Sequence, residues 1–263
     1  MFRESKCVPK NYRCAAACPN EAVKVDPGKK LPPEFDRTVC ARCETLDCVR
    51  ACLKEALKIA GRTFTVEALM KILQRDQGYW GEGGGVTFTG GEPLLQPEFL
   101  LAVLKTCRSL YIHTAMETSA YAKTEILLEV QKLIDWMFID IKHMDAAAHE
   151  RETGVSNEFI LKNIEAAAAA SWNGRLVIRV PVIPGFNDGE ENLEATVGFM
   201  KKNRLEEVNL LPFHRLGSSK YGQLGLEYAY AGREAPSGEV MAKAAGIFEA
   251  AGLRCSLGSM TPF

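Results

Sequence analysis

The chain has 263 residues, 47% of them hydrophobic and 25% charged, with a formal net charge of -1. That balance is ordinary for a globular protein and lacks the basic footprint of a nucleic-acid binder, so no nucleic-acid partner is expected. The polar opening MFRESKC carries no apolar targeting core and no apolar run is long enough to span a bilayer, so a cytoplasmic protein without a membrane partner is expected.

Seven of the nine cysteines fall in the first 52 residues: Cys7, Cys14, Cys18, Cys40, Cys43, Cys48 and Cys52. In a reducing compartment such a cluster reads as metal binding rather than disulfides. The first set, CVPKNYRCAAACP, has the spacing C-x6-C-x3-C-P, and the second, CARCETLDCVRAC, has C-x2-C-x4-C-x3-C. Bacterial ferredoxins use C-x2-C-x2-C-x3-C-P, in which the last cysteine of each run ligates the other cluster. Applying that crossover gives one cluster Cys40, Cys43, Cys48 and Cys18, and the other Cys7, Cys14 and Cys52. Lys10 stands where the short spacing would put the second cysteine of the first run. One 4Fe–4S cluster is therefore fully supplied and the second is one thiolate short; a three-iron cluster, a non-cysteine ligand and failure to assemble all stay open. Zinc is the competing reading, but zinc sites favour two C-x2-C pairs. The seven-cysteine density and the C-x3-C-P ending favour iron–sulfur.

Turn residues such as Pro27-Gly28 and Pro32-Pro33 mark the cysteine region, and residues 1–56 are expected to form a ferredoxin-like module. From residue 57 to 263 short apolar strands alternate with helical patterns, which predicts βα units on a parallel sheet, an α/β partial (β/α)6 barrel. The strand candidates are Val86–Thr89, Tyr111–Met116, Trp136–Ile141, Leu176–Ile183, Val208–Phe213 and Leu253–Leu257. Between them, Thr65 can cap a helix with apolar positions Val66, Leu69, Met70 and Leu73, and Phe99, Leu100, Val103, Leu104 and Cys107 share that spacing. Further helices fit Glu125–Leu133, Ile160–Ala170, Glu191–Lys202 and Glu239–Ala251.

GGGVTFTGGEPLLQ, residues 83–96, places two glycines and Glu92 directly after a strand end. Glycines there expose backbone carbonyls to a close ligand, and an ammonium group would suit them and Glu92. In barrels, ligand sites lie at the C-terminal ends of strands. A plain Gly-rich turn before Pro93 fits the local chemistry equally well. Asp140 and Lys142 alternate on one face of an apolar strand, which is costly unless they are paired, and two charges in a barrel mouth favour a site. His113, Trp80 and Trp136 read as packing, and Cys107 and Cys255 as small buried hydrophobes.

The stretch GGGVTFTGGEP resembles the glycine motif of glycyl radical enzyme activases, a branch of the radical SAM superfamily. HTAMETSAYA at 113–122, FIDIKHMD at 138–145, TGVSN at 153–157, IRVPVIPGFND at 178–188 and NLLPFHRLG at 209–217 look like that family in the same order, so the resemblance spans essentially the whole chain. It implies an enzyme that uses S-adenosylmethionine (SAM) and a 4Fe–4S cluster to form a 5′-deoxyadenosyl radical and install a glycyl radical on a partner enzyme, with flavodoxin or ferredoxin as reductant. By position, Gly90, Gly91 and Glu92 would hold the SAM amino group, and Asp140, Ile141 and Lys142 would sit beside SAM. Arg179 would face its ribose or carboxylate, and His214 its nucleoside end. Glu117 and Thr118, with Asp140, match a monovalent-cation site of pyruvate formate-lyase activase, with Glu in place of Asp.

The superfamily's C-x3-C-x2-C motif, which holds the SAM cluster, does not occur in this sequence; Cys14-x3-Cys18 is followed by Pro19, Asn20 and Glu21. In the family that motif and its strand precede the ferredoxin-like insertion, so the chain is expected to be an N-terminally incomplete barrel that does not cleave SAM alone. The catalytic cysteines therefore have no candidates here. The alternative is an iron–sulfur electron-transfer or scaffold protein derived from a radical SAM enzyme; the retained Gly91, Asp140, Lys142 and His214 speak against it.

Overall fold

A computed structural model describes residues 1–10, 12–81 and 83–258. The chain divides into two compact units, residues 1–63 with 215–233, and residues 64–214 with 234–263.

The first unit is built from very short elements. β1 (Val23–Lys24) pairs antiparallel with β2 (Glu34–Phe35), and α1 (Arg13–Ala16), α2 (Arg37–Cys40) and α3 (Asp47–Arg50) are single turns. Asp36 caps α2 by accepting from the Thr38 and Val39 amides. Long-range main-chain bonds close the unit: Arg3 N donates to Ala56 O at 2.7 Å, and Phe2 N donates to Gln223 O at 2.8 Å. The Phe2 and Phe35 rings meet at 4.9 Å. Through Gln223 and a seven-residue helix, Ser218–Leu224, residues 215–233 join the segment that the sequence assigns to the cysteine module.

The second unit is a six-stranded parallel sheet in sequential order, β3 (Val86–Phe88), β4 (Thr114–Thr118), β5 (Trp136–Asp140), β6 (Arg175–Val182), β7 (Glu207–Pro212) and β8 (Arg254–Leu257). All six candidate strands form. The second begins at Thr114 instead of Tyr111, because Tyr111 turns with φ +54° and is 96% exposed. The helices are α4 (Val66–Asp76), α5 (Pro97–Ser109), α6 (Thr124–Gln131), α7 (Ala146–Thr153), α8 (Glu158–Ala169), α9 (Glu190–Lys202) and α10 (Gly238–Ala250). Thr65 caps α4 by accepting from Ala68 N at 3.1 Å. The alanine- and charge-rich α7 has little apolar periodicity and is the one barrel helix the spacing does not predict. Among the described residues no helix is long and apolar enough to cross a membrane.

Strand alternation sorts the sheet into two faces. Met116, Met137, Ile139, Ile178, Val180, Val208 and Leu210 pack against Leu104, Leu127, Ile164, Leu193, Met200 and Phe248 of the helices in one continuous core. The opposite face carries Trp136, Phe138 and Asp140 along β5 and Arg175, Val177 and Arg179 along β6. Ala115, Phe138 and Val177 form an apolar waist there, with charged groups above and below it.

Candidate active site and iron–sulfur module

The charges above the waist lie at the C-terminal ends of the strands. Parallel register makes Asp140 the direct partner of Arg179, and Arg179 that of Asn209. Arg179 Nε donates to Asp140 Oδ1 at 3.0 Å, Arg179 Nη1 pairs with Glu117 Oε1 at 2.7 Å, and Lys142 Nζ pairs with Asp140 Oδ2 at 3.1 Å. Thr89 Oγ1 donates to Glu117 Oε2 at 3.0 Å. Five side chains at or just past the ends of β3, β4, β5 and β6 thus form one connected network. The Arg179 side chain is only 14% exposed and Asp140 19%, a degree of burial at which carboxylates need the partners they have here.

The glycine loop follows Thr89, the first member of this network. Gly90 adopts φ +127°, which L side chains avoid, and a Cβ built on Gly91 would meet nothing within 4 Å. Together they leave a cradle at the strand end that any side chain would fill. Glu92 is used within the chain. Its carboxylate accepts from Leu94 N (3.2 Å), Thr118 Oγ1 (2.6 Å), Ser119 N (2.8 Å) and Ser119 Oγ (2.6 Å), which occupies its acceptor capacity and pins the loop to the end of β4. What the loop offers outward is therefore backbone, with Glu92 as its anchor. Ile141 is fixed by donating its amide to Arg179 O at 2.9 Å, while its side chain lies in the helix-side core. His214 is exposed just beyond β7, after Phe213 N, which donates to Val182 O.

Four asparagines that the sequence reading passed over hold the loops of this mouth. Asn187, fully buried, donates to Lys142 O and Pro181 O at 2.7 Å and accepts from Ile183 N at 2.8 Å. Asn157 donates to His143 O and Met144 O at 2.8 Å, and Asn192 accepts from Met144 N at 2.9 Å. Asn163, also fully buried, donates to Ala120 O and Ala122 O at 2.7 Å. Asn157 ends the stretch TGVSN and Asn187 lies in GFND. Their signal was an uncharged amide just past a strand or turn, able to bridge backbone groups that no regular element satisfies.

Below the waist the character is structural. Arg175 stacks over Trp136 at 4.4 Å and, with Arg254, grips Glu207. Burial alone would raise the Glu207 carboxyl, but these two guanidinium partners outweigh it and hold the group below its ordinary range. Cavities of about 680 and 740 Å³ open at this N-terminal end, around Trp172 and Arg175. In barrels that end is associated with stability, the opposite end with ligands. His113 meets Trp136 edge to face at 5.7 Å, Trp80 packs with the Met70 cluster, Cys107 is fully buried, and burial pushes the Cys255 thiol up to about 11.

In the cysteine unit the sulfurs fall into two mutually influencing sets. Burial holds the Cys40 and Cys48 thiols above their ordinary value, and the charges of Cys18 and Cys43 add to it for both. Cys43 is lowered, first by the Leu46 backbone N–H. Burial likewise raises Cys7 and Cys14, and Cys52 adds to both. Backbone amides reach two sulfurs, Ala22 N to Cys18 Sγ at 3.3 Å and Leu57 N to Cys52 Sγ at 3.4 Å. A cavity of about 180 Å³ is lined by Cys7, Cys14 and Cys52 with Tyr12, Arg13 and Lys54. A water takes about 30 Å³ of liquid volume, so this space suits a group of several heavy atoms. Among the described residues no three His, Cys, Asp or Glu side chains converge on one ion position. Thiolates on a single zinc must crowd within about 4 Å of each other, given Zn–S bonds of about 2.3 Å, whereas cluster thiolates bind separate irons.

Comparison with known proteins gives the family of the chain. The profile of the radical SAM superfamily matches residues 44–197, more than half of the chain. An alignment with the 4-hydroxyphenylacetate decarboxylase activating enzyme of Clostridium scatologenes is 47% identical over 265 residues, covering 100% of this chain and 84% of that protein. The indoleacetate decarboxylase activating enzyme of Tractidigestivibacter scatoligenes is 38% identical over 260 residues, covering 97% of this chain and 82% of that protein. The crystal structure of a domain of pyruvate-formate lyase-activating enzyme from Bacteroides vulgatus superposes with a TM-score of 0.57 at 36% identity, covering 67% of this chain and 100% of that one.

The parallel sheet is that of a radical SAM protein, and the chain belongs to that superfamily. Membership brings SAM and a 4Fe–4S cluster as the family's cofactors. Within the superfamily, the chain belongs to the activating enzymes of glycyl radical enzymes.

Proposed function

We propose that this chain binds SAM at the C-terminal mouth of its parallel sheet and serves as the activase of a glycyl radical decarboxylase acting on an arylacetate. The observation that carries the reading is the network Thr89–Glu117–Arg179–Asp140–Lys142 beside the open Gly90-Gly91 cradle. Its donor set matches SAM, whose ammonium needs backbone carbonyls and carboxylates and whose carboxylate needs a cation. The Gly90-Gly91 backbone takes the ammonium, and Glu92 acts by positioning that backbone. Arg179 and Lys142 meet the carboxylate or ribose, Asp140 orients both cations, and His214 contacts the nucleoside end. SAM would supply a carbon radical for hydrogen-atom abstraction from a glycine of the partner only together with a reduced cluster held by a C-x3-C-x2-C motif, which does not occur in this sequence. A monovalent cation at Glu117, Thr118 and Asp140 would compete with Arg179 for the same carboxylates. The partner class follows from the relatives, whose names place them with 4-hydroxyphenylacetate and indoleacetate decarboxylases.

The cysteine unit, residues 1–63 in sequence, is the ferredoxin-like module of this reading. Cys18, Cys40, Cys43 and Cys48 hold one 4Fe–4S cluster, Cys7, Cys14 and Cys52 hold a second centre, and a flavodoxin or ferredoxin supplies electrons.

Equilibrium dialysis of labelled SAM against the reconstituted chain, paired with affinity capture of a purified arylacetate decarboxylase, tests the proposal. Saturable SAM binding that Gly91→Val weakens at least tenfold, together with capture of the decarboxylase, is the expected result. Redox-active iron without SAM binding would instead identify an electron carrier or scaffold and sink the reading.

A further inference from the structure

The two cysteine sets are not equivalent, and the difference lies in the fourth ligand. On the iron–sulfur reading, Cys18, Cys40, Cys43 and Cys48 supply the four thiolates that a cubane needs. Around the other cavity stand three thiolates, Cys7, Cys14 and Cys52, with Val8, Tyr12, Arg13, Pro33, Ala51, Leu53, Lys54 and Ala56 making up the rest of the described wall. No carboxylate or imidazole is among those wall residues. Arg13 and Lys54 have no lone pair to offer as cations, and the Tyr12 hydroxyl donates to Leu31 O at 3.1 Å. Lys10, at the sequence position of the absent second cysteine, is exposed. The site thus combines a cubane-sized cavity, three thiolates, and two cations that offset the negative charge of an iron–sulfur core. Beyond the three cysteines, the described wall supplies no further thiolate, carboxylate or imidazole for the fourth corner.

We propose that Cys7, Cys14 and Cys52 hold a convertible iron–sulfur centre, a three-iron cluster when oxidised that takes up a fourth iron without a protein thiolate when reduced. The balance is one electron and one ion. An external reductant passes one electron to the oxidised three-iron core, turning its three Fe(III) formally into two Fe(III) and one Fe(II). The core then binds one Fe(II) through its three open sulfides, and water or a small thiol fills that iron's outer position. Loss of the electron to an oxidant releases the Fe(II) again. The centre responds to reducing power and free iron together, which suits a protein whose radical chemistry needs both. The inference rests on the iron–sulfur reading of the module and is independent of the SAM site.

The test uses the whole reconstituted chain, wild type, Lys10→Cys and Cys14→Ser, with electron paramagnetic resonance and iron analysis. Mild ferricyanide oxidation of wild type is expected to give the spin-half signal of an oxidised three-iron cluster. Dithionite with Fe(II) extinguishes it and adds one iron per chain, and ferricyanide restores it. Lys10→Cys supplies the missing thiolate, so the signal disappears and the extra iron becomes resistant to ferricyanide. Cys14→Ser loses the signal and keeps the other cluster. If Lys10→Cys does not fold, the ferricyanide and Fe(II) cycle in wild type and the Cys14→Ser spectrum decide the matter. The proposal fails if wild type holds two oxidation-resistant four-iron clusters or only one cluster, or if the signal survives in Cys14→Ser. A chain that binds no iron at all would instead overturn the iron–sulfur reading of the module itself.

Discussion

The two compact units of this chain are held together by different physics. In the sheet unit, side chains such as Leu104, Met116, Met137, Ile139, Ile178 and Phe248 are fully buried in one core, and each contributes about 1.5–3 kcal/mol by leaving water. In the cysteine unit the buried hydrophobic residues among those described are Ala22, Val23, Ala56 and Leu57, and its α-helices run four to seven residues. So small a core does not offset the conformational entropy of ordering that many residues, and domains in this position rely on staples. Four of its thiols are held above their ordinary value, first by burial. On the proposed iron–sulfur reading, cluster assembly displaces thiol protons and couples metal binding to folding. The sheet unit then folds on its own core, whereas the cysteine unit needs its cluster to fold.

The largest expected effect follows directly. Stripping iron from the reconstituted chain should remove stabilisation on the order of 10 kcal/mol, the scale of structural metal sites, from residues 1–63 and leave the sheet unit folded. Hydrogen exchange resolved by mass spectrometry should show protection lost across the cysteine unit and kept in β4, β5 and β6. Equal protection in the stripped form would break the comparison, since the unit would then hold itself.

Within the sheet unit, Arg179→Met should be the most damaging single change at the mouth. It leaves Asp140 and Glu117 close together without their shared guanidinium. Removing one partner from a buried ion pair costs about 3–5 kcal/mol, and the lower end applies because the Glu117 side chain is 34% exposed. With about 2–4 °C per kcal/mol for a domain of this size, a fall in Tm of roughly 10 °C is expected, with iron content unchanged. A loss of iron in this variant would show that the two units are not separable in the way proposed.

The same division explains what the sequence revealed. The sheet was legible because strands alternating with amphipathic helices can bury their faces in few ways, and Val86, Trp136 and Val208 announced their strands by β-branched or aromatic character. The cysteine spacing carries the proposed ligand reading because ligand geometry is written directly in the interval between residues. The network at the mouth was visible only in part. Asp140 and Lys142 stood out as charges in an apolar strand and Arg179 entered through the family resemblance, yet their partnership depends on parallel register, which no local pattern states. Glu92 was read as a ligand group, but its carboxylate is spent on Thr118, Ser119 and Leu94, contacts about 26 residues away for Thr118. The asparagine bridges were invisible for a similar reason, because an uncharged amide in a loop acquires its role only when distant carbonyls arrive beside it.

Asn187→Ala tests whether those bridges position the mouth or merely fill space. It leaves Lys142 O, Pro181 O and Ile183 N without their partner in a buried place. Unsatisfied buried groups cost about 1–3 kcal/mol each, and partial relaxation of the loop brings the expected total to about 3 kcal/mol in denaturant titration. A positioning role also requires SAM affinity to fall while the variant is still folded. Unchanged affinity would confine Asn187 to stability.

The smallest effect concerns pH and belongs to the sheet unit alone. His149 is 2% exposed, with Nδ1 2.7 Å from Val155 O and 3.0 Å from Thr153 Oγ1. Burial, followed by the charges of Lys142 and His143, lowers its proton affinity below the usual histidine value in spite of the Val155 bond. The unfolded chain therefore binds this proton at a higher pH than the folded one does. Above the unfolded histidine range, near pH 6.5, neither state is protonated and His149 makes stability independent of pH. Below it, protonation of the unfolded state draws the equilibrium toward unfolding, until the folded-state value is also passed. Thermal melts of the sheet unit should thus lose stability as pH falls from about 6.5 toward 5. His149→Gln, which keeps a polar side chain without the titration, should flatten that slope, and an unchanged slope would assign the acid sensitivity to other groups.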